Sequence, residues 1–443
     1  MKIESRAPTR SGRSRGRSGR WSATRIRRVT GVLLVAAAFA FSLASCELNR
    51  QRVLVWHDWP DPEAEVLIEL LEGYSELNPN LRLIIEYVPS TELESRFAEE
   101  VQSGFGPDVM IGVDADRLAD LVSANSVRPV SSEQSAAHGF DQLEARAMQA
   151  MAIDGDQHGV PLAGFTDVLY FRDGIEPPQT LNAVIDLAEA GYSTGIPVDF
   201  VGAYWGVDAF GGTVFSNGDT LSPDDGFVRW MDWILEARPQ PNVILGGDYE
   251  TLRESFVTGR IDLFVGSSRE LGTFRSALSA PSSANDNSDG DDNSVSTTLA
   301  DIGVATFGLT TLPGGTNEAP GGFLEIEGMV VNRHTDTMSE SLALMEYLTN
   351  VPSQGRIARS GLGRIPINES VTIDPTISPV ETALLKQQRR SVVLPRPFEE
   401  NLAGLAELGN EIYLQVARGL VEPSDAGAEL RARYEEIALE RND

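Results

Sequence analysis

The sequence predicts an α/β protein of two lobes, each an open sheet flanked by helices, and three observations predict it. The chain runs to 443 residues, too long for one small domain and suited to two lobes of ordinary size. Strand-like and helix-like segments alternate from residue 53 onward. And 41% of the residues are hydrophobic, enough to build cores rather than a disordered chain.

The first segment is an address. Residues 1–46 carry ten of the 36 basic residues and one acid, Glu4; the remainder carries 26 basic and 64 acidic residues, a net charge of −38. A body this acidic repels nucleic-acid phosphates, so no nucleic-acid partner is expected and the charge reads as a solvated surface. After the basic stretch comes an apolar run, Val32 to Phe41. At ten residues it is too short for a bilayer, which needs about 20. Its length and flanks fit the core of a secretory signal peptide over residues 1–45. Leu43-Ala44-Ser45-Cys46 follows directly and resembles the bacterial lipobox. That resemblance implies that the Cys46 sulfur receives a diacylglycerol and that Cys46 becomes the new N-terminus, with Glu47 to about Arg52 as a tether. A chance cysteine after an ordinary signal is the plainer alternative. Cys46 is the only cysteine, so it forms no internal disulfide and no thiolate metal site. Arg27-Arg28 makes a poor twin-arginine signal, because Val29-Thr30-Gly31 follows it.

Val53-Leu54-Val55-Trp56 predicts a short strand running into a His57-Asp58-Trp59-Pro60 loop. Asp61 then caps a helix with Pro62 at its first position, and Val66, Leu67, Leu70, Leu71, Tyr74 and Leu77 give that helix one buried face. Asn78-Pro79-Asn80 breaks it, and Leu81 to Val88 is the second strand. Thr91-Glu92-Leu93-Glu94 reads as a capping box opening a helix that Gly104 closes. Asp108 to Val113 is the third strand, with a helix near Asp116 to Ala124. This β-α-β-α-β-α order implies a parallel sheet whose ligand crevice lies beyond the carboxyl ends of its strands.

Gly106-Pro107-Asp108-Val109, following strand, helix and strand, resembles the opening of the extracellular solute-binding proteins of ABC importers, in their sugar-binding group. Further landmarks keep that family's order. His158-Gly159-Val160-Pro161-Leu162 and Asp167 to Phe171 resemble the crossover from first to second lobe. Phe210-Gly211-Gly212, Asn217-Gly218 and the Trp-bearing helix begun by Ser222-Pro223 resemble the second lobe. Phe256-Val257-Thr258-Gly259-Arg260, the strand to Gly266, and Pro320-Gly321-Gly322 before a strand around Met329 to Asn332 resemble its later elements. Leu342 to Leu348, Gly361 to Pro366 and Pro395 to Ile437 complete the series. The resemblance implies a periplasmic-binding-protein-like fold with hinge crossovers. Its first lobe is 47–164 plus 323–366 and its second 165–322 plus 367–443. Residues 279–298, rich in Ser, Asn, Asp and Gly, predict a low-complexity surface loop; a calcium loop is the sharper alternative, but the EF-hand spacing is missing.

Signatures of catalysis are few. There is no G-x-S-x-G elbow, no H-E-x-x-H helix and no Walker A loop, and the four histidines lack ligand spacing, so no catalytic residue, metal or cofactor is expected. A sugar needs aromatic faces for its C–H surfaces and planar polar groups for its hydroxyls, placed at a cleft that can close. Trp56, Asp58 and Trp59 follow the first strand, and Asp114 and Asp116 the third; the alternatives are core packing for Trp56 and a helix cap for Asp116. Phe165 and Asp167 stand at the expected hinge with Thr166; Trp205, in a Gly-rich stretch beside Tyr204, is a candidate stacking platform, with core packing as its alternative. Trp230 and Trp233 are expected in the core. Ser267-Ser268-Arg269 stands where many relatives carry a sugar-stacking Trp, a departure that makes Arg269 a candidate for charged or highly hydroxylated ligands. Glu325 and Glu327 near the second crossover, and Arg364, complete the candidates.

The resemblance therefore implies a monomeric, lipid-anchored binding protein of the cell envelope, on the periplasmic side or the outer face of the cytoplasmic membrane. It would capture a small solute, a sugar or oligosaccharide, and deliver it to an ABC permease. Two rivals stand beside it: an exported carbohydrate-active hydrolase, which turnover of generic glycosides would reveal, and a sensor lipoprotein of the same fold, which its gene neighbours would reveal.

Overall fold

A computed structural model describes residues 51–61, 63–216, 220–246, 248–279, 306–394 and 402–440. All of these except Gln51 belong to one compact unit, Arg52–Asp443, which holds every core cluster. The signal peptide, Cys46, Pro62, Asn217-Gly218, the loop from 280 to 298 and the stretch 395–401 lie outside the described residues.

The first sheet is built from β1 (Gln51–His57), β2 (Leu81–Tyr87), β3 (Val109–Asp114) and β4 (Gly159–Phe165), together with two strands that arrive much later. Val53, Val55 and Trp56 of β1 and most of β3 are buried, as continuous apolar runs inside a covered sheet require. Helices α1 (Glu63–Leu77) and α2 (Ser90–Gln102) supply Leu67, Leu71, Leu93 and Phe97 to the same core. Two local expectations are corrected. Leu77 is 70% exposed, because α1 ends there and its apolar stripe has turned off the sheet. The capping box is absent: α2 starts at Ser90 after Pro89, so Thr91 already lies inside the helix and makes no cap. Gly104 does end α2, with φ at +79°.

The second sheet is built from β5 (Asp167–Arg172), β6 (Thr194–Ile196), β7 (Val243–Leu245), β8 (Leu263–Ser267) and β9 (Phe307–Thr310), in the order β7-β6-β8-β5-β9. One face packs Trp205 of α3 (Tyr204–Ala209), Trp230 and Trp233 of α4 (Asp225–Ala237), and Ile412 and Leu430 from the two C-terminal helices. The cap of α4 is Asp224, whose carboxylate accepts from the Gly226 N–H, rather than Ser222-Pro223. The other face is aromatic: Tyr170 meets Phe274 of α5 (Glu270–Ser279) edge-on at 4.8 Å, with Phe256 and Phe264 around them.

The remaining strands return to the first sheet. β10 (Glu325–Val331) inserts between β3 and β4, and β11 (Ile365–Pro366) adds beside β4, giving the order β11-β4-β10-β3-β1-β2. β1 and β3 are parallel, Val55 facing Val109, but β10 runs antiparallel to both of its neighbours. The sheet is thus mixed, not parallel. The reason is directional: β10 enters at the end where β3 finishes, Glu327 facing Asp114, and can only run back along β3. A register shift at Glu327 to Met329 marks a bulge, the device that re-aims a side chain in a sheet. The two sheets, each with helices against it, form the two-lobed α/β fold the sequence predicts.

The chain crosses between the sheets in one small region. Thr166 alone joins β4 to β5. Its hydroxyl pairs with the Ser391 hydroxyl at 2.6 Å and its N–H donates to Ser268 Oγ at 3.3 Å. The Ser268 hydroxyl in turn donates to the Gly363 carbonyl at 3.0 Å. Val392 N–H donates to the Gly322 carbonyl and Leu324 N–H to the Val392 carbonyl.

Candidate functional site

A cavity of about 250 Å³ opens between the sheets beside this crossing. The ends of β3 and β10 contribute Asp114, Ala115, Asp116, Glu325 and Ile326; Arg269, at the end of β8, faces them, with Val201, Phe323 and Leu394 supplying apolar surface. Four sequence-selected residues converge here. Asp114 is half-buried at the end of β3, and Asp116 stands exposed in the short turn that follows, where it caps no helix. Arg269 donates from Nη2 to Asp114 at 2.6 Å and from Nε to Glu325 at 3.0 Å. Its guanidinium lies 3.7 Å over the ring of Phe165, which is buried as the floor beneath it. Burial raises the Asp114 carboxyl above its ordinary range; Arg269 opposes this, and Glu327 and Glu325 add to it.

Behind the cavity wall lies a second, more deeply buried network. The bulge of β10 turns Glu327 inward to 2% exposure. Its carboxylate accepts from Trp59 Nε1 at 3.0 Å and from Arg364 at 3.2 and 3.4 Å. Arg364 also bonds Glu63 and stacks 3.7 Å over the Trp59 ring. Trp59 and Arg364 are therefore structural supports under the cleft, not walls of it. The 57–61 loop borders a separate depression of about 480 Å³ with Tyr87.

Other candidates fall elsewhere. Trp56 points into the first core, donates from Nε1 to Glu86 at 3.2 Å and carries Arg96 over its ring. Trp205 is fully buried, 5.3 Å from Trp230, so it offers no stacking platform. Asp167 begins β5 beside Gly322, and burial holds its carboxyl well above the usual range, with Glu325 and Asp199 adding to this. Sequence reasoning gave Glu327 little weight and missed Glu63 and Phe323. Glu327 carried a signal, an acid followed by an apolar strand run, which costs free energy unless the carboxylate is paired.

Asp58 is only partly satisfied. Its Oδ1 makes no hydrogen bond and lies over Gly112, whose φ of +102° and missing side chain leave room for it. Burial first, then Glu327 and Asp114 against Arg364, push its carboxyl up to about 8. An acid with a raised folded pKa holds more protons folded than unfolded, so its contribution falls as pH rises between the two values. Stability of the parent relative to Asp58→Asn is therefore expected to decline from about pH 4 to about pH 8 and to flatten above. Urea titrations of both proteins across that range check it; parallel curves would reject it.

The cleft thus offers carboxylate acceptors, one guanidinium and apolar faces, a set suited to a polyhydroxylated solute. Among the described residues, no three His, Asp, Glu or Cys side chains gather to hold a metal.

Residues 69–382 match the family described as bacterial extracellular solute-binding protein. The maltotriose-binding protein of Pyrococcus abyssi is 24% identical over 248 residues, 52% of each chain, so the match spans about half that protein's length. The maltodextrin-binding protein MdxE of Bacillus subtilis is 20% identical over 414 residues, 85% of this chain and 89% of the other. A solved structure of the maltose-binding periplasmic protein MalE from Listeria monocytogenes, in complex with maltose, covers 87% of this chain and 98% of its own. Its TM-score is 0.68 at 14% identity, a likeness of fold.

Proposed function

Since this chain belongs to the bacterial extracellular solute-binding proteins, we propose that it captures a sugar or oligosaccharide in the cleft between its two sheets and delivers it to an ABC permease. One observation carries the reading: the cavity lies where the chain crosses between the sheets, and both sheets supply its polar groups, Asp114 and Glu325 from one and Arg269 from the other. A solute bound there touches both lobes, so its binding energy can shift an open–closed equilibrium. The names of the curated relatives, binders of maltotriose and maltodextrin, support a saccharide. The family is extracellular, so the protein is exported.

Within this reading the lobes divide as 47–164 plus 323–366 and 165–322 plus 367–443. The protein acts as a monomer, and a diacylglycerol on Cys46 tethers it to the membrane. It works as a carrier with no chemical step. A thermal-shift screen of the unit Arg52–Asp443 against mono- and oligosaccharides, polyols, polyamines and amino acids tests the reading. A saccharide at 100 times its Kd should add about 2.7 kcal/mol of stability. A rise with saccharides is the expected result. A rise only with polyamines or amino acids would overturn the sugar assignment, and no rise with any solute would overturn the cleft.

A further inference from the structure

The wall of the cleft carries an uneven charge. Asp114, Asp116 and Glu325 face the cavity, and Arg269 is the one cation among the described residues that line it. Asp114 and Glu325 share Arg269, at 2.6 and 3.0 Å, and Asp116 has the exposed Arg117 beside it at 4.0 Å. Asp167 adds a carboxylate with no cation of its own. It opens β5 at the pivot, directly after Thr166 and beside Gly322, where the chain crosses again. Among the described residues it accepts no hydrogen bond and forms no ion pair, and the charges that face it are Glu325 on β10 and Asp199 after β6. Asp199 is held by its own turn: its Oδ1 accepts from the N–H groups of Gly202 at 2.7 Å and Val201 at 3.1 Å, and Val201 lines the cavity. Burial, then Glu325 and Asp199, holds the Asp167 carboxyl well above its ordinary range, as expected of an acid without a counter-ion in the protein.

Two further observations narrow what fits. Among the described residues, no three carboxylates converge closely enough to grip a metal ion, so the spacing suits a larger cation with several donors. The cleft also offers little open ring surface. Trp56 and Trp205 are buried, Phe165 lies 3.7 Å beneath Arg269, and Phe323, 7% exposed, stacks on Tyr204 at 4.2 Å. A neutral pyranose held by stacking is poorly served here, whereas a protonated amine finds acceptors on both sheets.

We propose that the solute is an amino sugar, a saccharide bearing a protonated amine, which Asp167, Asp199 and Glu325 hold while Asp114, Asp116 and Arg269 meet its hydroxyls. The inference rests on the proposed function, from which it takes the saccharide and the cleft, and it adds the charge. An ammonium carries three N–H donors, one for each of the three acids. Asp167 and Asp199 come from the second sheet and Glu325 from the first, so the amine ties the two together through charge-assisted bonds that a neutral hydroxyl cannot match. A buried ammonium and a buried carboxylate are each costly alone, and pairing offsets both costs.

Isothermal titration calorimetry of the unit Arg52–Asp443 tests this with matched β-1,4-linked series of glucose, glucosamine and N-acetylglucosamine, monomers to tetramers, and with malto-oligosaccharides, at a pH where the amine is protonated. The glucosamine series should bind about ten- to a hundredfold more tightly than the neutral sugars, N-acetylglucosamine included, since acetylation keeps the nitrogen but removes its charge. Asp167→Asn and Asp199→Asn, each first shown folded by circular dichroism, should cut that preference about tenfold. Asparagine at 199 keeps the oxygen that the Val201 and Gly202 N–H groups bond, so the turn survives. A neutral series that binds as tightly as glucosamine, or a preference that survives Asp167→Asn, would overturn the amino-sugar assignment and leave the saccharide reading standing. Binding by none of the series would overturn it as well, and the broader solute screen would then decide the cleft itself.

Discussion

Arg364→Ala is expected to lower the stability of the folded unit by about 3–5 kcal/mol, the cost of stripping one partner from a buried ion pair. Arg364 is 6% exposed and Glu327 2%, so the pair lies almost wholly out of reach of bulk solvent. The loss has three parts. Glu327 keeps the Trp59 N–H as a hydrogen-bond donor and only the more distant Arg269 guanidinium, at 4.0 Å, as a cation. Glu63 loses its partner at the start of α1. The Trp59 ring loses the cation over its face and gains a void instead. Urea unfolding should show a lower midpoint at an unchanged slope. The double change Arg364→Met with Glu327→Leu should recover much of the loss, because it removes both charges and refills the space. A single variant within 1 kcal/mol of the parent would show that the network is hydrated and that Trp59 is held by packing alone.

The second large effect is expected at the pivot. Gly363 has φ at +74°, and a Cβ there would stand 1.7 Å from the Ser268 carbonyl oxygen. Gly363→Ala must therefore strain the left-handed backbone and push away the segment that holds Thr166. Gly104 supplies the control, since it has φ at +79° with open space around it. Gly104→Ala should cost only the conformational part, about 1–2 kcal/mol. Gly363→Ala should cost at least about 2 kcal/mol more, as overpacking against backbone does. It should also weaken solute binding, because Ser268 and Arg269 move together. Equal losses in the two variants, read by chemical denaturation, would mean that the Ser268 segment yields freely and that the pivot is soft.

How much of this was legible follows from how local each signal is. The first three strands and their helices were readable because their periodicity lies within single segments: Val53 to Trp56, Leu67 to Tyr74, Val109 to Val113. The return of a late strand near Met329 to the first lobe came from the family resemblance, not from the strand's own residues. Its insertion between β3 and β4, and hence the mixed sheet, was not legible, because strand partners are chosen across more than 150 residues by where the chain re-enters the first lobe. Asp114 and Arg269 were singled out because each follows a strand, and Glu325 because it lies near the second crossover; the structure gathers the three around one cavity. Trp56 and Trp205 stood open between cleft and core, because a large aromatic beside a turn has the same sequence signature facing either; the structure buries both. Glu327 hid behind a bulge, which flips a side chain without leaving a mark on composition.

The crossing between the lobes has a mechanical consequence. Three passages of the chain, at Thr166, at Gly322 to Leu324 and at Ser391-Val392, are hydrogen-bonded to one another within a few residues. Cross-linked strips of this kind resist sliding and twisting and leave bending as the soft mode, so the two lobes have close to one degree of freedom between them. A chemical event in the cleft is then expressed on the outer surface as a single angle. A receptor that grips both lobes can measure that angle without touching the solute, and the same receptor can serve any cargo that sets it.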